Sequence, residues 1–124
     1  MRYSLLLNYS EAGGAQVSAE AMAEWQAAFD AYATSLDAAG VLLSADVLQP
    51  TAASTTVTVR GGSLQVQDGP FADTKEQLGG VFLIDVPDLD AALAWAEKCP
   101  AAQWGTIEIR PTAVYFSGGQ WNQA

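Results

Sequence analysis

The first forty residues combine a two-residue alternation with a longer apolar stripe. Side chains in residues 2–9 alternate between two faces, which predicts a strand, and a glycine-containing connection over 11–16 follows. Ser18 then provides an N-cap for a helix, and Gly40 a place for that helix to end. Between them, apolar residues recur at spacings of three and four: Met22, Trp25, Phe29, Tyr32 and Leu36. This spacing predicts an amphipathic helix whose aromatic stripe packs against a sheet.

The middle of the chain carries the clearest local pattern. Residues 41–50 predict a second strand, which Pro50 stops. In residues 55–68, two alternating runs flank the pair Gly61–Gly62, and such runs joined by a two-residue glycine turn predict a β-hairpin. The polar residues of both runs share one face, so we expect that face to lie in solvent.

The second half of the chain returns to the strand–helix–strand order. Residues 80–86 are apolar on both faces, which predicts a central strand. Asp88 is placed to cap a second helix, with Leu89, Ala92, Leu93 and Ala96 as its buried stripe. Residues 105–111 alternate again and predict a last strand. From about residue 113 we expect one short extra strand followed by a disordered tail.

The order of these elements defines the predicted fold as an α+β, ferredoxin-like sandwich: β-α-β, an inserted hairpin, then β-α-β. Right-handed crossovers place both helices on one face of an antiparallel sheet. The other face keeps Leu6 and the apolar central strand uncovered, and a bare apolar sheet face is an interaction surface. We therefore expect residues 1–124 to form a single domain that dimerises by packing its open sheet face against a second copy.

Charge and composition exclude several classes of partner. The chain has 124 residues, with 14 acidic and 5 basic side chains and a net charge of −9, which disfavours nucleic acid and anionic membranes. No stretch approaches a transmembrane span, so we expect a cytoplasmic protein. Cys99 is the only cysteine, which excludes an intrachain disulfide, and we expect it to act as a small buried hydrophobe.

The absence of histidine limits the possible chemistry. It removes Ser-His-Asp triads, Cys-His pairs and histidine-rich metal sites within one chain. Acid–base catalysis would have to use Asp, Glu, Lys or Tyr side chains. The sequence contains neither a P-loop nor a Rossmann fingerprint, so we expect no nucleotide cofactor and no metal.

Residues 68–80, DGPFADTKEQLGG, form the most unusual stretch and admit a purely structural interpretation. The carboxylate of Asp68 would accept a backbone hydrogen bond in a turn, and Phe71 would fill the core. Asp73 would begin a short helical turn over about 74–78. Every residue of the stretch would then serve the fold.

A functional interpretation places the same stretch at the mouth of a cleft between the sheet and a partner subunit. Asp68 and Glu76 would be catalytic, as general base or hydrogen-bond acceptor, and Lys75 would neutralise an anionic substrate group. Residues from other strands would complete the substrate-binding set: Arg60, Arg110, Tyr3 and Asn8. In a third interpretation, Lys75 and Glu76 pair with a neighbouring subunit.

Three segments carry, in order, a family resemblance: DGPFADTKEQLGG, PDLDAALAWAEKCPAA and IEIRP. Over residues 2–113 the chain resembles the YCII-related family, specifically its DGPF-domain branch. The resemblance implies a ferredoxin-like, dimeric α+β barrel architecture. It implies little chemistry: some members carry a His-Asp pair in a cleft and have been proposed as enzymes, while others are linked by gene association or fusion with extracytoplasmic-function sigma factors.

Two departures from the family pattern bear on function. Asp73 stands where the DGPF branch usually has Glu, and Trp104 stands where relatives often have His. A histidine-based mechanism therefore does not carry over. Two hypotheses remain: a homodimer that binds a small molecule in a cleft, with metal-free proton transfer or isomerisation, or a non-catalytic accessory module of sigma-factor signalling whose acidic surface docks a basic partner.

Overall fold

The computed structural model describes residues 1–11 and 17–124, so the predicted connection over 11–16 lies, apart from Glu11, outside the described residues. The strands are β1 (Arg2–Tyr9), β2 (Leu42–Val47), β3 (Thr55–Arg60), β4 (Ser63–Asp68), β5 (Gln77–Asp85), β6 (Thr106–Pro111), β7 (Val114–Ser117) and β8 (Gln120–Gln123). The α-helices are α1 (Ala19–Ala38) and α2 (Leu89–Glu97), and single 3-10 turns cover Thr51–Ala53 and Pro100–Gln103.

Strands β2, β5, β1 and β6 form, in that order, one antiparallel sheet. Leu5 of β1 lies between Phe82 of β5 and Ile109 of β6, and its side chain is fully buried. The same core contains Tyr32 and Leu36 of α1 and the alanines of α2, so both helices cover the same sheet face. The arrangement confirms the predicted ferredoxin-like α+β fold.

The predicted helix caps are confirmed. The Ser18 hydroxyl accepts a hydrogen bond from the N–H of Ala21 at 3.1 Å, and the Asp88 carboxylate accepts one from the N–H of Ala91 at 2.9 Å. Each cap satisfies a backbone donor that the first helical turn leaves without an intrahelical partner. Both helices therefore begin where a short polar side chain precedes the apolar stripe.

The buried stripe predicted for α2 is only half correct. Ala92 and Ala96 are buried against the sheet, whereas Leu89 and Leu93 are each 50 % exposed. The two leucines lie three positions before the two alanines, which places them on a neighbouring row of the helix surface. Small alanine side chains let the helix lie close to the sheet and leave the leucine row at the edge of the contact.

Strands β3 and β4 form the predicted hairpin, which we call the hairpin arm (residues 55–68). Gly61 and Gly62 have φ angles of +56° and +76°, the left-handed values that a tight two-residue turn requires. The register pairs valines and a leucine on one face of the arm: Val57 with Val66, and Val59 with Leu64. All four are more than half exposed, so the apolar face of the arm is uncovered. On the polar face, Thr56 and Thr58 are half-buried.

The C-terminal tail forms a second hairpin, β7–β8, rather than the one short strand expected. Gly118 and Gly119 make its turn, and the rings of Phe116 and Trp121 pack edge to face across it, 5.4 Å apart. The guanidinium of Arg2 lies 3.8 Å from the ring centre of Tyr115. A cation over an aromatic face is attracted by the ring quadrupole, so this contact links the C-terminal hairpin to β1.

The sheet face opposite the helices is uncovered along its middle. Leu6 of β1 pairs with Val81 of β5, and Leu83 lies two residues further along β5; all three are half-buried. We call this surface the open face. Polar residues border it, with Asp46 beside Val81 and Glu108 beside Leu6.

None of the described helices is long and apolar enough to cross a membrane. Within residues 1–11 and 17–124, no three Cys, Asp or Glu side chains are grouped so that they could hold a metal ion.

Candidate functional site

A cleft of about 770 Å³ lies at one end of the open face. Its walls are the base of the hairpin arm, the segment 70–78 and the last polar residue of β1, Asn8. Hydroxyl groups dominate its polar lining: Thr51, Ser54, Thr55, Thr56 and Thr74. Among the described residues that line it, Glu76 is the one ionisable side chain.

Backbone geometry fixes one wall of the cleft. The N–H of Gly69 donates to the carbonyl of Ser54 at 2.7 Å, and the Thr56 hydroxyl donates to the carbonyl of Gly69 at 2.7 Å. Gly69 has φ = +106°, a conformation that residues with a Cβ rarely adopt. The glycine therefore lets the chain turn back along the arm before Pro70 and start the segment that closes the cleft.

Glu76, which directly precedes β5, accepts a hydrogen bond from a residue of β6. Its Oε1 accepts a hydrogen bond at 3.0 Å from the hydroxyl of Thr106, reaching across the end of β1. Thr106 is the register partner of Asn8, whose Nδ2 donates to the carbonyl of Leu6 at 3.1 Å. A carboxylate, a hydroxyl and an amide thus meet at the end of the open face. Within residues 1–11 and 17–124, this is the hydrogen bond that the Glu76 carboxylate accepts from a side chain.

Glu11 braces the same end of the sheet. Its carboxylate accepts hydrogen bonds from the backbone N–H of Thr51 at 2.9 Å and from the Thr51 hydroxyl at 2.7 Å. Its own N–H donates to the side-chain oxygen of Gln77 at 3.0 Å. The brace joins the 3-10 turn after β2 to the first residue of β5, and both elements line the cleft.

The structure brings two of the predicted site residues to the cleft, Asn8 and Glu76. Asp68 is the last residue of β4 and Lys75 precedes Glu76, and both side chains are exposed. Neither belongs to the described lining of the cleft. The stretch 68–80 therefore contributes Glu76, and no second charged group, to this site.

The remaining predicted residues lie elsewhere. Arg60 is at the tip of the hairpin arm, and its guanidinium donates to the carbonyl of Val59 at 3.1 Å. Arg110 is exposed on β6 and pairs with Glu108. Tyr3 is buried on the helix-covered face, where its hydroxyl donates to the sulfur of Met1 at 3.6 Å. Tyr3 and Asn8 thus point to opposite faces of β1.

Two structural expectations for the stretch 68–80 are wrong. Phe71 does not fill the core, since 93 % of its surface is exposed. The helical turn over 74–78 does not form, because Gln77 and Leu78 belong to β5 and pair with Tyr9 and Asn8. Strand pairing occupies the backbone groups that a helical turn would need.

Sequence reasoning missed Thr106 and Glu11. Thr106 stands in a strand that is predicted from its alternation, and nothing in its neighbourhood signals a contact with Glu76, thirty residues away. Glu11 stands in a glycine-containing connection, where no periodicity applies. Both partnerships depend on how distant strand ends meet.

The fold and the cleft together define the class: a ferredoxin-like α+β protein with a candidate ligand site at one end of its open sheet face. Residues 1–114 match the family model of the YCII-related domain, and the chain belongs to that family. An uncharacterised protein of Rhizobium meliloti (strain 1021) is 47 % identical over 73 residues, covering 57 % of this chain and 59 % of that protein. The match thus spans about three fifths of that relative. The terminal hairpin β7–β8 lies almost entirely beyond the family match.

Proposed function

We propose that this protein is a homodimer that binds a small, uncharged, hydrogen-bonding molecule in the cleft, where Glu76 accepts a proton. The observation that carries the proposal is the position of Glu76, fixed by the Thr106 hydroxyl at 3.0 Å in a cleft lined mainly by hydroxyl and apolar groups. A positioned carboxylate is one of the side chains that act as general base. The proposal needs no metal and no nucleotide.

The charges of the residues that line the cleft disfavour an anionic ligand. An anionic ligand would meet Glu76 with no Lys or Arg among the described lining residues to compensate. Hydroxyl and amide groups can instead donate to and accept from an uncharged ligand in several directions. The expected anionic substrate, held by Lys75, is therefore replaced in this proposal by a neutral one.

Glu76 and its neighbours have separate roles in the proposed reaction. In this proposal Thr106 holds the carboxylate through Oε1, and Oε2 would take a proton from the bound molecule. Asn8, whose amide is oriented by the carbonyl of Leu6, would bind a polar group of the ligand. The reaction class is proton transfer, including isomerisation by removal and return of a proton.

The dimer is supported by the uncovered apolar surfaces. Leu6, Val81 and Leu83 lie together on the open face, and the apolar face of the hairpin arm is exposed. Removing apolar surface from water favours association. A second copy packed on the open face would also form an outer wall for the cleft, which a single chain leaves open along one side.

A thermal-shift screen against neutral metabolites tests the ligand and the role of Glu76. We expect a ligand that raises the melting temperature of the wild type and has less effect on Glu76→Gln. Asp68→Asn is the matched control, because it removes an exposed carboxylate of the same stretch that lies outside the cleft lining. At a ligand concentration of 100 Kd the stabilisation should be about 2.7 kcal/mol. Equal stabilisation of wild type and Glu76→Gln would remove Glu76 from the site.

A second candidate function, a non-catalytic interaction module, is favoured by one observation. Phe71 is 93 % exposed and lies at the cleft close to the exposed apolar face of the hairpin arm. This surface could dock another protein, in keeping with the sigma-factor linkage that the resemblance to the DGPF branch implies. If Phe71→Ser leaves the oligomeric mass unchanged but abolishes capture of a protein partner, and Glu76→Gln leaves that capture intact, the module is favoured over the enzyme.

A further inference from the structure

A second cavity lies on the opposite side of the sheet from the cleft. It is a groove of about 650 Å³ between α1 and the edge strand β2, which we call the aromatic groove. Its walls include Trp25 and Phe29 of α1, Tyr9 at the end of β1, and Trp104. Leu48, which directly follows β2, lines both cavities.

Two small residues create the space. Ala45 of β2, the register partner of Phe82, and Ala33 of α1 both line the groove. A larger side chain at either position would enter the groove. Because these side chains are so short, helix and edge strand leave room between them instead of closing the core.

One end of the groove is a fixed aromatic wall. The rings of Trp25 and Trp104 stack with centroids 4.4 Å apart and an interplanar angle of 16°. Tyr9 meets Trp104 edge to face at 5.1 Å, and its hydroxyl donates to the carbonyl of Gly79 at 3.1 Å. Burial, and secondarily the charge of Glu11, raises the pKa of Tyr9. The wall thus offers preorganised aromatic surfaces, and the Tyr9 hydroxyl already has a hydrogen-bond partner.

The rim of the groove is apolar and open to solvent. Val47 is 67 % exposed, Leu48 43 % and Met22 38 %. A concave apolar site with a few polar groups at its edge is typical of small-molecule binding, and the volume lies in the usual range for such sites.

The charge of the groove is negative. Gln26 and Asp30 are one helical turn apart on α1 and supply its polar edge. No Lys or Arg belongs to its described lining, and the whole chain carries a net charge of −9. A ligand with a positive group would be attracted to Asp30, whereas a carboxylate would be repelled.

We propose that the aromatic groove binds a planar hydrophobic amine, with its ring among the aromatic side chains and its ammonium group at Asp30. Aromatic faces favour flat ring systems and also attract cations. This site does not depend on the proposed function of the cleft.

Titration calorimetry with two ligands of matched ring and opposite charge tests the proposal. The probes are tryptamine and indole-3-acetate, each added to the full chain. We expect tryptamine to bind more tightly than indole-3-acetate. Because the carboxylate of Asp30 is exposed to solvent, the difference in affinity should be modest, roughly fivefold. Asp30→Asn should remove most of that preference, while Asp37→Asn, a carboxylate of the same helix outside the groove, should keep it.

A filling variant tests the location. Ala45→Trp should abolish tryptamine binding, and its thermal transition will show whether it folds; if it does not, Ala33→Leu takes its place. The proposal is overturned if neither probe binds, if both bind equally, if Asp30→Asn keeps the preference, or if a folded filling variant still binds tryptamine.

Discussion

Gly79 lies so close beneath the ring of Tyr9 that a Cβ at this position would come within 2.1 Å of the ring carbon Cζ. The Tyr9 hydroxyl donates to the carbonyl of the same glycine at 3.1 Å. This contact joins the end of β1 to the start of β5, between the cleft on one sheet face and the aromatic groove on the other.

Replacing Gly79 by Ala should destabilise the protein, because the ring of Tyr9 must move and its hydrogen bond is strained. We expect a loss of about 1–3 kcal/mol in the free energy of unfolding, measured by urea denaturation. Gly80→Ala is the comparison: its Cβ would meet the Asp46 carbonyl oxygen at 3.2 Å, a tight contact but a less severe one, so we expect a smaller loss. An equal loss in both variants would mean that the Tyr9 contact is not the cause.

Tyr32 should make the protein sensitive to alkali. Its hydroxyl donates to the carbonyl of Trp95 at 2.8 Å, and burial raises its pKa well above the ordinary value. The folded protein therefore keeps the Tyr32 proton at pH values where the unfolded chain has released it, above about pH 10. Unfolding then releases a proton, so the free energy of unfolding falls as the pH rises through this range.

Tyr32→Phe separates the two contributions of this side chain. Loss of the hydrogen bond should lower the free energy of unfolding by about 1 kcal/mol at pH 7. The same variant should lose less stability than the wild type between pH 9 and 11. Denaturation curves across this range measure both effects, and parallel pH profiles for the two proteins would contradict the assignment.

Cys99 should be unreactive in the folded protein. It is 1 % exposed, and burial raises the pKa of its thiol, although backbone hydrogen bonds from Ala101 and Ala102 oppose this in part. Because the thiolate is the reactive form, modification by a disulfide reagent should be at least about tenfold slower in the native protein than in urea. Equal rates in both conditions would show that the packing around Cys99 opens readily.

Local patterns predicted much of the fold correctly. Ser18 and Asp88 cap helices through hydrogen bonds within three residues, and the Gly61–Gly62 turn joins adjacent strands. Such features depend on residues that are close together in the sequence, so they can be predicted from a single sequence. The alternation of β1 places Tyr3, an odd-numbered residue, and Asn8, an even-numbered one, on opposite faces of the strand. The predicted site nevertheless included both residues.

The candidate site depends on contacts that no local pattern encodes. Leu78 extends β5 because Asn8 pairs with it across seventy residues, which overrides the local preference for a turn over 74–78. The Glu76–Thr106 hydrogen bond likewise joins the ends of two strands. The large apolar side chain of Phe71 led to the prediction that it fills the core. Its exposure is apparent only from the three-dimensional structure.

The open face gives the proposed dimer a matched pair of variants. Leu83→Lys places a charge in the apolar middle of the open face and should yield a monomer, because a charged group buried without a partner is costly. Leu93→Lys changes an exposed leucine on α2, on the opposite side of the sheet, and should remain a dimer. Dissociation of the second variant alone would place the interface on the helices.

Sedimentation equilibrium of the wild type at micromolar concentration is the most direct test of the proposed homodimer. We predict a mass twice that of one chain, and a mass of one chain for Leu83→Lys under the same conditions. A wild-type protein that sediments strictly as a monomer would contradict the proposal that a second copy covers the open face and walls the cleft.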